Sequence, residues 1–166
     1  MSQIELRAFT RDEYHDFFRA FQHDPVVDSR PYRYQFTHVD KSFDYDLLRK
    51  ETYPCFGIYL DNRPIGILSL KRIDRAKGRC EIGLMMQSEE YRNHGFGTAA
   101  MRLGMRKAAD EYGVRTILAD TSSANKRMQR VLEKLGFSLV ERVENVFEYN
   151  GGRAACLYYS WEAEQC

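Results

Sequence analysis

The sequence has no run of about 18 apolar residues, the length a helix needs to cross a bilayer, so no membrane-spanning helix is expected in it. It has four prolines, all within the first 64 residues, and no Pro-, Gly- or Ser-rich tract or repeat, so nothing marks a linker. Cysteine is scarce and scattered: Cys55, Cys80, Cys156 and Cys166 show no CxxC spacing, which argues against a zinc knuckle or redox pair and for reduced, packed thiols. His15, His23, His38 and His94 lack metal-ligand spacing, so no metal is expected. Neither charge dominates: 25 basic and 24 acidic residues are interspersed for a net charge of +1, which leaves no positive field to hold a nucleic acid. The opening MSQIELRAFT has no basic region followed by an apolar stretch, so no secretory signal and no membrane partner are expected, and the reading is cytoplasmic. There is no GxxxxGK[ST] phosphate loop, no GxSxG elbow and no Cys/His nucleophile signature, which disfavours a covalent enzyme intermediate.

What is present reads as one continuous domain over residues 1–166, with 43% hydrophobic residues to fill a core. Ile4, Leu6 and Ala8 alternate with charged residues as a strand does, and Thr10 offers a cap for a helix over DEYHDFFRAF, whose acidic first turn suits the helix dipole. The aromatic and charged segment from His23 to Glu51 reads as a loop followed by a short helix around Phe43 to Lys50. CFGIYL, IGILSLKRI and RCEIGLMM, separated by the turn formers DNRP and DRAKG, read as three sequential antiparallel strands. After Gly97 the period changes. Met101, Met105, Ala108 and Tyr112 share one helical face, and Gly113 is placed to end the helix. RTILADT suits a buried strand parallel to the one before that helix, giving a βαβ unit. Ser122 or Ser123 would cap a second helix with Met128, Val131, Leu132 and Leu135 apolar, ended by Gly136 and Phe137 in a Schellman motif. SLVERVENVFEY, the Asn150-Gly151 turn and RAACLYYSW make a hairpin. The predicted order is βααβββαβαββ, an α/β (α+β) fold.

The stretch with most to say about function runs from Met85 to Thr121. A glycine pair after a strand and at the start of a helix, here Gly95 and Gly97, lets bare backbone N–H groups approach an anion at the positive end of the helix dipole. The expected ligand is a phosphate, with Arg92 adding a charge-assisted bond from the side. The bland reading is a helix start with two incidental glycines. A dinucleotide-binding fold is the rival, since Gly95, Gly97 and Ala100 satisfy GxGxxG/A and Asp120 follows at the end of the next strand. It is disfavoured because Gln87 to His94 intervene between strand and glycine, and because the motif comes late in a β-rich chain.

RNHGFG, from Arg92 to Gly97, resembles the [RQ]xxGx[GA] acetyl-coenzyme A signature of the GNAT superfamily of N-acetyltransferases, and NKRMQRVLEKLGF, from Asn125 to Phe137, resembles its Asn-initiated helix ending in EKxGF. The two motifs stand in the family's order and spacing. The likeness spans nearly the whole chain and lies nearest the ribosomal-protein N-terminal acetylase and spermidine acetylase branch. It implies the GNAT fold, a mixed central sheet of about six to seven strands with four helices.

The resemblance also implies roles. Pantetheine would pair with the bulged end of the fourth strand at Leu84, Met85 and Met86. Pyrophosphate would sit on Arg92, Asn93, His94, Gly95, Phe96, Gly97 and Thr98, and Asn125 would contact the cofactor near its sulfur. Lys126 and Arg127 stand in a first turn where the helix dipole disfavours cations, so a coenzyme phosphate would offset the local cost; the alternative is a solvated pair. The thioester is already activated, and the protein must orient an amine, polarise the carbonyl and remove a proton. A lysine-like amine needs roughly 4 kcal/mol to reach its neutral form at neutral pH and an α-amine about 1, so a base matters more for the former.

Glu81 is the expected base, matching a carboxylate that serves similar enzymes; its alternative is a strand residue paired with Arg79 or Arg72. Leu132 stands where the family usually places its tyrosine acid. A thiolate can leave unaided, and Ser122, Ser123, Tyr149 and Tyr158 are substitutes. The segment PYRYQFTHVDKSFDYD would line the acceptor cleft, with Asp40, Asp44 and Asp46 suiting a cationic amine and Arg30 and Arg33 an anionic substrate. The function read here is acetyl transfer from acetyl-coenzyme A to a primary amine, on a small polyamine or amino compound or on a protein N-terminus. The alternative is a coenzyme A-binding regulatory module with little turnover. A homodimer is compatible with either.

Overall fold

The structure is a computed structural model that describes residues 3–149 and 151–165. One seven-stranded sheet is ordered β1-β2-β3-β4-β5-β7-β6, from β1 (Ile4–Arg7), β2 (Cys55–Leu60), β3 (Arg63–Asp74), β4 (Arg79–Met86), β5 (Thr116–Ser122), β6 (Ser138–Tyr149) and β7 (Gly152–Glu162). Four α-helices complete it, α1 (Arg11–Arg19), α2 (Phe36–Leu48), α3 (Phe96–Tyr112) and α4 (Lys126–Lys134), with a 3-10 turn at Glu89–Tyr91. The order and the mixed sheet agree with the sequence reading.

Local chemistry accounts for most boundaries. Thr10 caps α1 in a capping box with Glu13. Asp61 and Asn62, both at positive φ, close the β2–β3 hairpin as a two-residue turn. Gly113 ends α3 in the left-handed region, and α4 ends in a Schellman motif in which Gly136 N–H donates to Glu133 and Phe137 N–H to Leu132. Two expectations need correction. α2 starts at Phe36 rather than Phe43, because Val39 and Phe43, one turn apart, both bury against the sheet and draw the helix back over the supposed loop. The α4 cap is Asn125, which accepts from Met128 N–H at 3.2 Å, not Ser122 or Ser123. Ser122 Oγ instead accepts from Ala124 N–H at 3.2 Å, and Ser123 Oγ from Ala155 N–H at 2.9 Å, tying the end of β5 to β7. The Tyr149 side chain, Asn150 and Cys166 lie outside the described residues.

The sheet separates two cores. On one face Cys80, Ile82, Met86 and Ile117 pack with Ala100, Met101, Met105 and Ala108 of α3 and Leu132 of α4. On the other, Tyr59 and Ile67 meet Phe9, Phe17, Val39 and Phe43, with α1 and α2 above them. All neighbouring strands are antiparallel except β4 and β5, whose parallel pairing is confined to Arg79↔Thr116, Cys80↔Ile117 and Glu81↔Leu118. Both strands continue past Glu81 and Leu118 unpaired with each other, so the sheet opens into a fork. The β3–β4 irregularity lies between Lys71 and Asp74, so the expected bulge at the end of β4 is replaced by this splaying.

Candidate active site

A cavity of about 570 Å³ opens beside the end of β4 that has parted from β5. Leu84, Met85 and Met86 of β4 form one wall, the segment Tyr91–Thr98 another, and α4 a third, while Phe21, Asp24 and Val27 from the chain after α1 complete the rim. The start of α3 leaves its backbone donors bare. Gly95 is the N-cap at φ +79, no side chain caps the helix, and its first turn holds no acidic residue, so its first backbone N–H groups and the positive end of the dipole stay unopposed. The two glycines differ in duty. A Cβ on Gly95 would meet nothing within 4 Å, so that position needs glycine for its left-handed backbone, whereas a Cβ on Gly97 would stand 3.0 Å from Leu84 Cδ2, so that glycine seats α3 against β4.

Of the residues singled out from sequence, Leu84, Met85, Met86, Arg92, Asn93, Gly95, Gly97, Thr98, Asn125 and Arg127 line the cavity. His94 and Phe96 do not; their rings face each other at 5.5 Å. Lys126 is exposed and also outside the lining. Arg92 turns inward. Its guanidinium is buried and donates to the carbonyls of Gln22 (3.2 Å) and Met86 (3.3 Å) and to Glu89 (3.2 Å), with Asp24 at 3.6 Å. Three of its five N–H donors thus hold the glycine segment against β4 and the chain after α1, as an arginine this buried requires, while the residue still lines the cavity.

Arg127 donates to Glu89 at 2.7 Å and 3.2 Å and lies 3.7 Å from Asp24. This contact, more than any other, holds the Glu89 carboxyl below its ordinary pKa, with Arg92 adding to it. Arg130 and Lys134, which the sequence reading passed over, also line the cavity. Their signal was the spacing Arg127, Arg130, Lys134, three and then four residues apart on one helical face.

Glu81 is the last β4 residue paired with β5 and sits outside the cavity lining. Its neighbours Cys80 and Ile82 bury on the α3 face, so strand alternation sends Glu81 to the opposite face, where Arg72 bonds it at 2.8 Å. Asp120 points to that same face just beyond the fork, since Ile117 and Ala119 bury on the other, and it stands opposite Tyr158 in the β5–β7 register. The Tyr158 phenol is held above its ordinary pKa, first by its hydrogen bond with the Cys156 thiol. Leu132 is fully buried, so α4 offers no proton donor at that position. Burial pushes the Cys55 and Cys80 thiols up to about 12, which makes them packing groups and not nucleophiles.

The carboxylates expected to meet a cationic acceptor are otherwise engaged. Asp40 bonds Arg11 (2.8 Å) and His15 (2.9 Å), Asp44 also bonds Arg11, and Asp46 bonds Arg49 and the Tyr14 hydroxyl, each at 3.1 Å. They tie α1 to α2. Arg30 is likewise paired with Asp28, at 2.8 Å. Among the described residues no group of three His, Cys, Asp or Glu side chains could hold a metal ion, and no helix is long and apolar enough to cross a membrane.

The chain matches the family model described as an acetyltransferase (GNAT) domain over residues 3–138. It is 26% identical over 114 residues to the candidate ribosomal N-acetyltransferase YdaF of Bacillus subtilis (strain 168); the match covers 66% of this chain and 62% of that protein. Among solved structures, the spermidine N-acetyltransferase of Vibrio cholerae in complex with coenzyme A and spermine superposes with a TM-score of 0.82 at 14% identity, covering 96% of this chain and 95% of that one. The ribosomal L7/L12 alpha-N-protein acetyltransferase RimL, in complex with coenzyme A, gives 0.80 at 17% identity, covering 96% and 93%. At these identities the structures speak for the fold, and the family match speaks for descent: the chain belongs to the acetyltransferase (GNAT) domain family.

Proposed function

We infer that this protein is a cytoplasmic N-acetyltransferase that uses acetyl-coenzyme A and passes the acetyl group directly to a primary amine, on a small polyamine or amino compound or on a protein N-terminus. The observation that carries the reading is the juxtaposition of the uncapped α3 start with the β4–β5 fork. The α3 N–H groups of Gly97, Thr98 and their neighbours would hold the pyrophosphate, and the free edge of β4 from Leu84 to Met86 would pair with pantetheine as a strand would. The thioester then lies in the fork, and the acceptor amine approaches from the face that carries Glu81 and Asp120. Coenzyme A supplies the activated acyl group; the chain's residues orient, polarise and accept a proton.

Glu81 is the reading for the base, with the amide of Asn125 directed at the cofactor while its Oδ1 caps α4. Asp120 is the second carboxylate on the acceptor face, and unlike Glu81 it has no ion pair among the described residues. A regulatory coenzyme A-binding module remains the other reading, favoured by the buried Leu132 in place of a proton donor.

The deciding experiment follows release of free coenzyme A from acetyl-coenzyme A across polyamines, amino acids and peptides with free N-termini, beside calorimetry with coenzyme A. Amine-dependent release is expected. Binding without release from any acceptor would favour the regulatory module, and absence of binding would remove the cofactor reading. Glu81→Gln should lower kcat by about 10²-fold or more toward lysine-like amines and less toward α-amines; if Asp120→Asn does this and Glu81→Gln does not, the base is Asp120.

A further inference from the structure

Helix α4 presents three cations to one cavity. Arg127, Arg130 and Lys134 line it along a helix rise of about 10 Å, with Met128 and Val131 between them. Cations three and four residues apart on a helix repel each other, and Arg127 also stands in the first turn, where the dipole opposes it. An isolated helix gains nothing from this arrangement. Among the described residues Arg130 and Lys134 have no ion pair, and Arg127 is held by two carboxylates, Glu89 at 2.7 Å just outside the lining and Asp24 of the rim at 3.7 Å. The stripe is therefore short of negative charge on the side that faces the cavity.

The cavity has a separate candidate anion site in the backbone N–H groups at the start of α3, and Arg92, three of whose donors go to Gln22, Met86 and Glu89, stands beside that helix start and not on α4. Coenzyme A carries two anionic groups, the pyrophosphate and the phosphate on the ribose 3′ oxygen. If the first occupies α3, the second is left for α4.

We propose that Arg127, Arg130 and Lys134 read the 3′-phosphate of the donor, making the protein selective for acetyl-coenzyme A over acetyl-3′-dephospho-coenzyme A. This rests on the cofactor reading above. Met128 and Val131 offer the adenine ring an apolar surface between the cations, and Asp24 and Glu89 occupy Arg127 until the phosphate competes for it.

The test measures Kd by calorimetry, and KM where turnover is seen, for both donors with the full chain and with an Arg130→Ala/Lys134→Ala variant. Both positions are exposed, so the variant should fold. The wild type is expected to favour acetyl-coenzyme A by about tenfold or more, as charge-assisted contacts would give. In the variant that ratio should fall toward one through weaker acetyl-coenzyme A binding, with a shallower salt dependence. Equal wild-type affinity for the two donors would overturn the proposal while leaving the cofactor reading intact, and so would a preference that survives in the variant. If neither donor bound, the cofactor reading itself would fail, and the proposal with it.

Discussion

The starts of α3 and α4 face the same cavity and are built in opposite ways. α3 begins on a left-handed glycine with no side-chain cap and no charge in its first turn, while α4 begins on an asparagine whose side chain satisfies Met128 N–H and carries cations immediately after it. One helix offers an anion its bare backbone; the other hides part of its backbone and offers guanidinium and ammonium groups. Backbone donors are fixed in place and recognise an anion through geometry, whereas long side chains must be held or recruited, as Arg127 is by Glu89. The contrast predicts that substitutions at the α3 start act through shape and those at the α4 start through charge and capping.

The largest effect should come from Gly95→Val. A β-branched residue at φ +79 is strained by about 1–3 kcal/mol, and its side chain would project into the open space where the anion is expected. Coenzyme A affinity should fall by on the order of a hundredfold, more than the loss of a single charge-assisted contact would produce. Calorimetry on protein checked for folding by its thermal transition decides this, and unchanged affinity would show that the α3 start does not hold the coenzyme.

A smaller effect is expected at the other helix. Asn125→Ala removes the α4 cap and should cost about 1 kcal/mol of stability, read from chemical denaturation. Asn125→Ser separates the two duties of the residue, since serine can restore the cap without an amide. If stability returns and activity does not, the amide acts on the cofactor; if both return, Asn125 serves α4 alone and the two helix starts differ less in function than in form.

How far these features were legible in the sequence follows the same division. What glycine and capping chemistry dictate could be read: the N-cap at Thr10, the ends of α3 and α4 at Gly113 and Gly136, and the bare α3 start are each decided by a few adjacent residues. What distant residues decide could not. α2 has no side-chain cap at Gln35 and no acidic first turn, so its start at Phe36 comes from packing of Val39 and Phe43 against the sheet. The point where β4 and β5 part is fixed by pairing across a crossover helix, and no local signal marks it. Arg92 turns inward because carbonyls of Gln22 and Met86 meet it there, and Gln22 lies far off in sequence. Asp40, Asp44 and Asp46 looked like acceptor ligands because their partners Arg11, His15 and Tyr14 sit on another helix.

The smallest predicted effect isolates the electrostatic half of the contrast. Arg127 and Arg92 hold the Glu89 carboxyl below its ordinary pKa of 4.5, so the folded state favours the ionised form more than the unfolded chain does. For a depressed acid the resulting stability is fully present above the ordinary value and is lost as pH falls through the lowered folded value. The wild type should therefore be slightly more stable than Glu89→Gln at neutral pH and low salt, and the gap should close below about pH 4.5. Glu89 is largely exposed, so the gap should also shrink as salt rises. α3 has no acidic residue in its first turn, and Gly95→Val should show a stability deficit that neither acid nor salt repairs. A Glu89→Gln deficit that persisted undiminished below that range would mean that Glu89 acts through something other than its charge on Arg127. The α4 cations would then be held by shape, as the α3 backbone is.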